Sequence, residues 1–370
     1  MGNFKDIGIN IDFIKGLNEL NIIKPTEIQT EVIPLLLTTK TDLVGQANTG
    51  TGKTAAYGLP LLQNINPNSN VIQGIILCPT RELGQQVAKQ LFRFTKFTNK
   101  IFTEAVYGGA PIDQQIKNLN RPTHVVVATP GRLIDLVKRE ALDLKHVKTV
   151  ILDEADEMLS MGFKKELDQI LEFIPNSEQT WLFSATIPHG IKQIINEHMS
   201  DDAYRIEISN KNVVNKNIDH QYIVCDEIEK LQEIINFLKG QGENRGIVFC
   251  KTKAATQKLT KQLIAKNIAV DCIHGDLLQK ERDKAMRAFK NEAVQILVAT
   301  DIAARGIDVE ALSFVLHYQL PDQEEYYTHR SGRTARAGKR GISLSLVTSY
   351  EMKQLRYFEK NLGINFNQVK

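Results

Sequence analysis

The sequence predicts an α/β protein of two tandem, similar parallel-sheet domains joined by a short linker, and three observations carry that prediction. Short, almost wholly apolar runs alternate with longer helical patterns along all 370 residues, as parallel strands joined by crossover helices require. The length exceeds what a single core usually serves. The two halves also echo one another. Gly74-Ile-Ile-Leu-Cys78 resembles Gly246-Ile-Val-Phe-Cys250, Val125-Val-Val-Ala-Thr129 resembles Ile296-Leu-Val-Ala-Thr300, and Tyr107-Gly-Gly109 resembles His274-Gly-Asp276. Three matches at a similar offset point to duplication.

In chain order, the first half supplies strands at Asp42–Gly45, Gly74–Cys78, Glu104–Tyr107, His124–Ala128, Thr149–Leu152 and Thr180–Phe183. The second supplies His220–Val224, Gly246–Cys250, Val270–Ile273, Gln295–Ala299, Phe314–Tyr318 and Ser343–Val347. Their continuous apolar character fits strands covered on both faces. The Asn- and Lys-rich run 209–219 lacks periodicity and is expected to link a domain 1–208 to a domain 220–370.

Composition bounds the function. Hydrophobic content of 42% and charged content of 24% are globular values and exclude wholesale disorder. The net charge of +3 divides unevenly: residues 1–208 hold 21 Lys+Arg against 24 Asp+Glu, residues 209–370 hold 25 against 19. A basic second half is compatible with a polyanionic partner, although on this feature alone a solvated basic face is the better reading. The four cysteines show neither pairing nor metal-ligand spacing, so reduced thiols are expected. The N-terminal MGNFKDIGIN is no signal sequence, and no apolar run approaches the ~20 residues that span a membrane. A cytoplasmic protein is expected.

The chemistry starts at Ala47-Asn-Thr-Gly50-Thr51-Gly52-Lys53-Thr54, between an apolar strand and an amphipathic helix. Glycines let backbone N–H groups curl round phosphate oxygens, and the helix start adds a favourable dipole. Lys53 would neutralise the outer phosphates of a nucleotide and Thr54 would ligate Mg²⁺. Ala47 stands where the general pattern has glycine. Downstream, Asp153-Glu154-Ala155-Asp156 follows the strand Val150-Ile-Leu152, and strand C-terminal ends are where open α/β sheets bind ligands. Asp153 is expected to hold Mg²⁺ and Glu154 to activate the attacking water. Only the first half has such a loop, so one ATP per chain is expected. In the second half, Arg330-Ser-Gly-Arg333-Thr-Ala-Arg336 could be a basic surface. Facing a phosphate site, Arg333 and Arg336 read instead as arginine fingers sharing a helical face.

From Phe4 to about Val347 these motifs, in this order, resemble the DEAD-box family of superfamily 2 RNA helicases. The resemblance implies RecA-like domains. It makes Lys24-Pro-Thr-Glu-Ile-Gln29 similar to the adenine-reading motif, with Gln29 on the adenine edge and Phe4 stacking on it. Asn21-Ile22 replaces the usual Gly-Phe there, and Glu27 a common Pro. The resemblance further implies RNA contacts at Thr80, Arg81, Gly109, Thr129 and Arg132 in the first domain. In the second it implies them at Phe249, Gln279, Arg282 and Thr300. Ser184 and Thr186 would couple hydrolysis to strand separation, and Gly306 and Asp308 would meet the nucleotide. Ser331 and Ala335 stand where Ile and Gly are frequent.

The expected protein is therefore an RNA-stimulated ATPase with ATP and Mg²⁺, monomeric in its core. It would clamp single-stranded or short duplex RNA with little sequence preference, unwind or remodel it locally, and hydrolyse ATP to let go. An ATP-gated RNA clamp or scaffold, and a DNA translocase, remain alternatives.

Overall fold

A computed structural model describes residues 2–48, 50–174, 179–208, 217–304, 312–335 and 339–369, with Ile302 described by its backbone alone. The chain divides into two compact units, Met1–Ser209 and Asn210–Lys370. The first holds β1 (Leu43–Gln46), β2 (Gly74–Leu77), β3 (Thr103–Val106), β4 (Val125–Ala128), β5 (Thr149–Asp153), β6 (Gln179–Ser184) and β7 (Tyr204–Glu207). The second holds β8 (Ile218–Val224), β9 (Gly246–Cys250), β10 (Val270–Ile273), β11 (Ile296–Thr300), β12 (Phe314–His317), β13 (Gly341–Val347) and β14 (Asn367–Gln368).

The sheets are ordered β3-β4-β2-β5-β6-β1-β7 and β10-β11-β9-β12-β13-β8-β14, all parallel. Adding seven to each label turns the first order into the second. Register repeats as well: Gly74 lies opposite Val125 and Thr149, and Gly246 opposite Ile296 and Phe314. The echo in the sequence is an echo in pairing.

Alternate residues of the central strands feed different cores, as the two-residue period of a strand dictates. Ile76, Val127, Ile151, Trp181 and Phe183 pack on one face of the first sheet, while Ile75, Val126, Val150, Leu152 and Leu182 pack on the other. Each fully buried aliphatic or Phe side chain contributes about 1.5–3 kcal/mol, so these strands are the stable platform beneath the loops. Trp181 is fully buried in that core. Cys78, Cys225 and Cys250 are buried free thiols, and burial pushes Cys250 up to about 12.

The edges depart from expectation. β7 and β14 are strands that apolar patterning misses, because their side chains are mostly exposed. Ile218 and Asp219, read as linker, begin β8. Residues 209–216 lie outside the described residues.

Candidate active site

Apart from the segment Lys24–Gln29, which precedes β1, the motifs singled out in the first unit follow the C-terminal ends of strands. β1 leads into the phosphate loop, β2 into Thr80, β3 into Gly108-Gly109, β4 into Thr129, β5 into Glu154 and β6 into Ala185.

After β1 the chain turns through Gly50 (φ +80°) and Gly52 (φ +91°), left-handed conformations that favour glycine, into the helix Lys53–Gln63. A Cβ on Gly52 would also lie 2.3 Å from Gln29 Nε2. Ala47 is not among the positive-φ residues, so this position needs no glycine. Lys53 is 7% exposed, and its Nζ donates to the Ala47 carbonyl at 2.9 Å. The ammonium is thus held beside the loop by a neutral carbonyl. Thr51 Oγ1 donates to the Asn48 carbonyl.

Gln29 buttresses this loop. Its Nε2 donates to the Gly52 carbonyl at 3.0 Å, and its Oε1 accepts from Thr26 N–H in a capping box that opens the helix Glu27–Thr38. Phe4 corrects an expectation. It is 2% exposed and packs in the core with Ile7, Ile9 and Phe13. Stacking on a base requires an open ring face, and this ring has none.

Asp153 ends β5 at 3% exposure. Its Oδ2 accepts from the Tyr57 hydroxyl at 2.7 Å, while Oδ1 is buried without a hydrogen-bond partner. Burial raises this carboxyl above its usual range, with Lys53 opposing the shift. A buried carboxyl oxygen without a partner, with the Lys53 charge close enough to oppose that shift, is a donor that suits a hard divalent cation. Tyr57 escaped the sequence reading. Its spacing from Lys53 (i, i+4) on one helix was the available signal. Next along, Glu154 caps the helix Ala155–Ser160 with φ +52° and ψ +51°. A non-glycine residue held there stores strain of order 1–3 kcal/mol, and the turn breaks the strand at the acid pair.

Asp156 ties this turn to β6. Its Oδ2 accepts from both Thr186 N–H and Thr186 Oγ1 at 2.9 Å, and its own N–H donates to Ser184 Oγ at 3.2 Å. Ser184 Oγ donates in turn to the Thr186 carbonyl at 2.7 Å, and Ala47 N–H donates to the Ser184 carbonyl. Acidic turn, phosphate loop and Ser184–Thr186 segment therefore share one hydrogen-bond network.

Further along the same sheet edge, Thr80 caps the helix Arg81–Phe94, and Arg81 pairs with Glu82 at 2.9 Å. Gly109 sits at φ +84°, and Thr129 Oγ1 accepts from Gly108 N–H. Arg132 is held within the unit: Nη1 donates to Gln115 Oε1 at 2.8 Å and Nη2 to the Ala110 carbonyl at 3.1 Å.

In the second unit the corresponding edge carries His274, Gln279, Arg282 and Thr300. Gln279 donates to Asp283 while its Oε1 is buried without a partner, and Arg282 Nη2 donates to the Ala303 carbonyl at 3.4 Å. Phe249 is buried beneath the Arg330 guanidinium, 5.1 Å from ring to charge, so it supports that arginine and presents no face to RNA.

Arg330 is itself 2% exposed. It grips Asp301 through Nε (2.5 Å) and Nη2 (2.7 Å) and donates to the Gln319 carbonyl at 2.9 Å. Below it, His317, Tyr327, Ser331, Ser343 and His220 form a buried polar network. This anchors the helix Glu324–Ser331, which ends before Arg333. The expected shared helical face for Arg333 and Arg336 is therefore corrected: Arg333 lies in the turn beyond, followed by Thr334 bridged to Leu312 and by Ala335 at φ +56°. Arg336, Gly306 and Asp308 lie outside the described residues.

Twin parallel sheets, one phosphate loop with a strand-end acid pair, and an arginine segment in the second unit define a two-domain, nucleotide-driven motor of the helicase class. Residues 26–194 match the DEAD/DEAH box helicase family and residues 226–338 the helicase conserved C-terminal domain. The chain belongs to the DEAD-box helicase family. The DEAD-box ATP-dependent RNA helicase CshA of Geobacillus kaustophilus is 39% identical over 370 residues, covering 100% of this chain and 79% of that one. The ATP-dependent RNA helicase CshA of Limosilactobacillus reuteri is 42% identical over 357 residues, covering 96% and 71%. Among solved structures, S. cerevisiae Dbp5 bound to RNA and ADP BeF3 superposes with a TM-score of 0.92 at 30% identity, covering 100% of this chain and 96% of that one.

Proposed function

We propose that the chain is an ATP-dependent RNA helicase that grips RNA with both units, opens short duplexes or remodels RNA–protein assemblies locally, and hydrolyses ATP to let go. The observation that carries this is the network joining the acidic turn to Ser184–Thr186 through Asp156. It ties the phosphate loop and the acidic turn to Ser184–Thr186, at strand ends of the same sheet that carries Thr80, Gly109 and Thr129.

ATP is the substrate of the loop 47–54. Gly50, Thr51 and Gly52 present backbone N–H groups to the phosphates, and Lys53 exchanges the Ala47 carbonyl for phosphate oxygens. Asp153 and Thr54 fit Mg²⁺, which when bound neutralises phosphate charge. Glu154 orients the attacking water and takes its proton. Gln29, which holds Gly52, relates adenine recognition to loop geometry. Arg333 stabilises charge on the departing phosphate, with Arg336, Gly306 and Asp308 in supporting contacts. The RNA contacts are Thr80, Arg81, Gly109, Thr129, Arg132, Gln279, Arg282 and Thr300. They are mostly hydroxyls, loop backbone and guanidinium groups, so binding is largely indifferent to base sequence and weakens with salt. The core acts as a monomer in the cytoplasm.

Glu154→Gln tests the reading. Its RNA-stimulated phosphate release should fall by about 10²–10⁴-fold while ATP and RNA binding persist, the signature of a lost general base. Turnover at the wild-type rate would remove Glu154 from that role.

A further inference from the structure

The repeat between the units assigns a role to a residue outside every motif named above. Gln115 lies in the helix Ile112–Leu119 and is the buried residue of that helix, at 5% exposure, although the helix also carries Ile112, Ile116 and Leu119. A buried carboxamide among apolar neighbours must satisfy its hydrogen bonds or cost stability. Gln115 does so between two motifs. Its Nε2 donates to the Tyr107 carbonyl at 3.1 Å, at the start of the Gly108-Gly109 loop, and its Oε1 accepts from Arg132 Nη1 at 2.8 Å. The other guanidinium nitrogen, Nη2, reaches the Ala110 carbonyl at 3.1 Å, the far end of the same loop. One amide and one guanidinium thus staple both ends of the loop to the helix Pro130–Lys138. The amide orientation is dictated, since a guanidinium only donates and a carbonyl only accepts.

The second unit repeats the device. Val106 pairs with Ala128 as Ile273 pairs with Ala299, so position 115 is nine residues past the end of β3 and position 282 nine past the end of β10. Arg282 occupies the Gln115 position, and its Nη2 donates to the carbonyl of Ala303, which lies four past Ala299 as Arg132 lies four past Ala128. The brace joins the same two places in both units, with the guanidinium moved from one end to the other.

We propose that Gln115 is a positioning residue for RNA binding, the first-unit counterpart of Arg282. It acts through Arg132 and the Gly108-Gly109 loop, presenting the loop backbone and Thr129 to the RNA phosphates. The proposal rests on the RNA-binding reading of this edge. Replacement by Met removes both hydrogen bonds at nearly constant length. Replacement by Glu keeps an acceptor for Arg132 but sets an oxygen against the Tyr107 carbonyl.

The test uses the full chain and a fluorescein-labelled oligo(U) RNA with a non-hydrolysable ATP analogue, read by anisotropy, beside steady-state ATPase and thermal unfolding. Gln115→Met should weaken RNA binding about tenfold, the effect of about 1.4 kcal/mol. kcat at saturating RNA and ATP KM should stay within about twofold, because a lost positioning contact of uniform binding raises the RNA requirement alone. Arg132→Met should weaken binding comparably, the double variant no further than Arg132→Met alone, and Gln115→Glu should be intermediate. Unchanged RNA affinity in Gln115→Met, additive losses in the double variant, or a parallel fall of kcat, KM and melting temperature would each overturn the assignment. Should Gln115→Met fail to fold, Gln115→Glu against Arg132→Met decides by the same comparison. A wild-type chain that neither binds this RNA nor gains ATPase from it would overturn the parent reading, and this one with it.

Discussion

The two units share a scaffold and differ at the strand ends, and the sharpest difference is what each does with a lysine. After β1, Lys53 opens the next helix and rests against a carbonyl behind a glycine-rich loop. After β8, Lys230 opens the next helix too, but the intervening Cys225-Asp-Glu-Ile-Glu229 has no glycine. Lys230 is fully buried and paired with Glu227 at 2.6 Å and Glu351 at 3.4 Å. A buried ammonium must be paired, and here the protein's own carboxylates take the place that phosphates would fill at Lys53. The acid pair is missing as well. Leu152 and His317 hold matching register positions beside Leu77 and Phe249, so Asp153-Glu154 corresponds to Tyr318-Gln319. The comparison teaches that duplication preserved the platform, whereas the glycine-rich loop and the strand-end acid pair stand in the first copy and not at the matching positions of the second; on the proposed function, the second unit supplies a charge instead.

That last clause can be broken at Arg333. If the second unit serves the first, Arg333→Ala should lower RNA-stimulated kcat by about 10³-fold or more, the usual worth of an arginine finger. ATP KM and RNA affinity should change far less. Equal losses in binding and turnover would make Arg333 a structural residue and the second unit a passive clamp half.

A smaller effect separates the units by acid sensitivity. In the second, burial holds His220 down at about 4 and His317 well below its usual range, with Arg330 adding to the latter. His220 is bonded to the Tyr327 hydroxyl, and Asp219 alone among its charged neighbours favours protonation. Both groups bind a proton in the unfolded chain below about pH 6.5 but not in the folded one. Stability is therefore fully present above that pH and is lost as pH falls towards 4, about 3 kcal/mol for His220. Among the described residues of the first unit, His124 shifts the same way, while the raised Asp153 carboxyl shifts the opposite way on acidification. Hydrogen exchange across pH 7 to 4 should show β8 and β13 losing protection before β5 (the pH span being that set by the histidine range). Simultaneous loss in both sheets would contradict the assignment.

The same contrast explains what was readable in the sequence. Strands covered on both faces announce themselves as apolar runs, and motifs at their ends follow, because those residue types are what phosphates require. Edge strands β7 and β14 carry no such run. Nor can spacing reveal that a helix stops at Ser331, which is settled by Arg330 gripping Asp301 and by the buried hydroxyl network below. Tyr57 and Gln115 were illegible for a related reason. Tyr57 acts through a hydrogen bond to Asp153 on another element and Gln115 through hydrogen bonds to Tyr107 and Arg132, and a single polar residue on a helix leaves no periodic trace. Phe4 was over-read, since an aromatic before a nucleotide motif looks the same whether it stacks or packs.

Departures from family pattern gain a physical reading by the same route. Asn21 and Ala335 both stand where glycine is usual, and both adopt φ +56°. Asn tolerates the left-handed region and is exposed at 21, whereas Ala335 is buried in the apolar cluster that holds Leu320, Tyr327 and Val347. Replacing Ala335 by glycine relieves about 1–2 kcal/mol of strain, but it removes a buried methyl worth about 0.8 kcal/mol and adds about 0.5–1 kcal/mol of unfolded-chain entropy. These offset, so Ala335→Gly should alter unfolding free energy in urea by no more than about 0.5 kcal/mol, with kcat within about twofold of wild type. A loss beyond about 2 kcal/mol would show that the methyl is packing the turn after Arg333. A gain beyond about 1 kcal/mol would show that the turn after Arg333 is held under backbone strain.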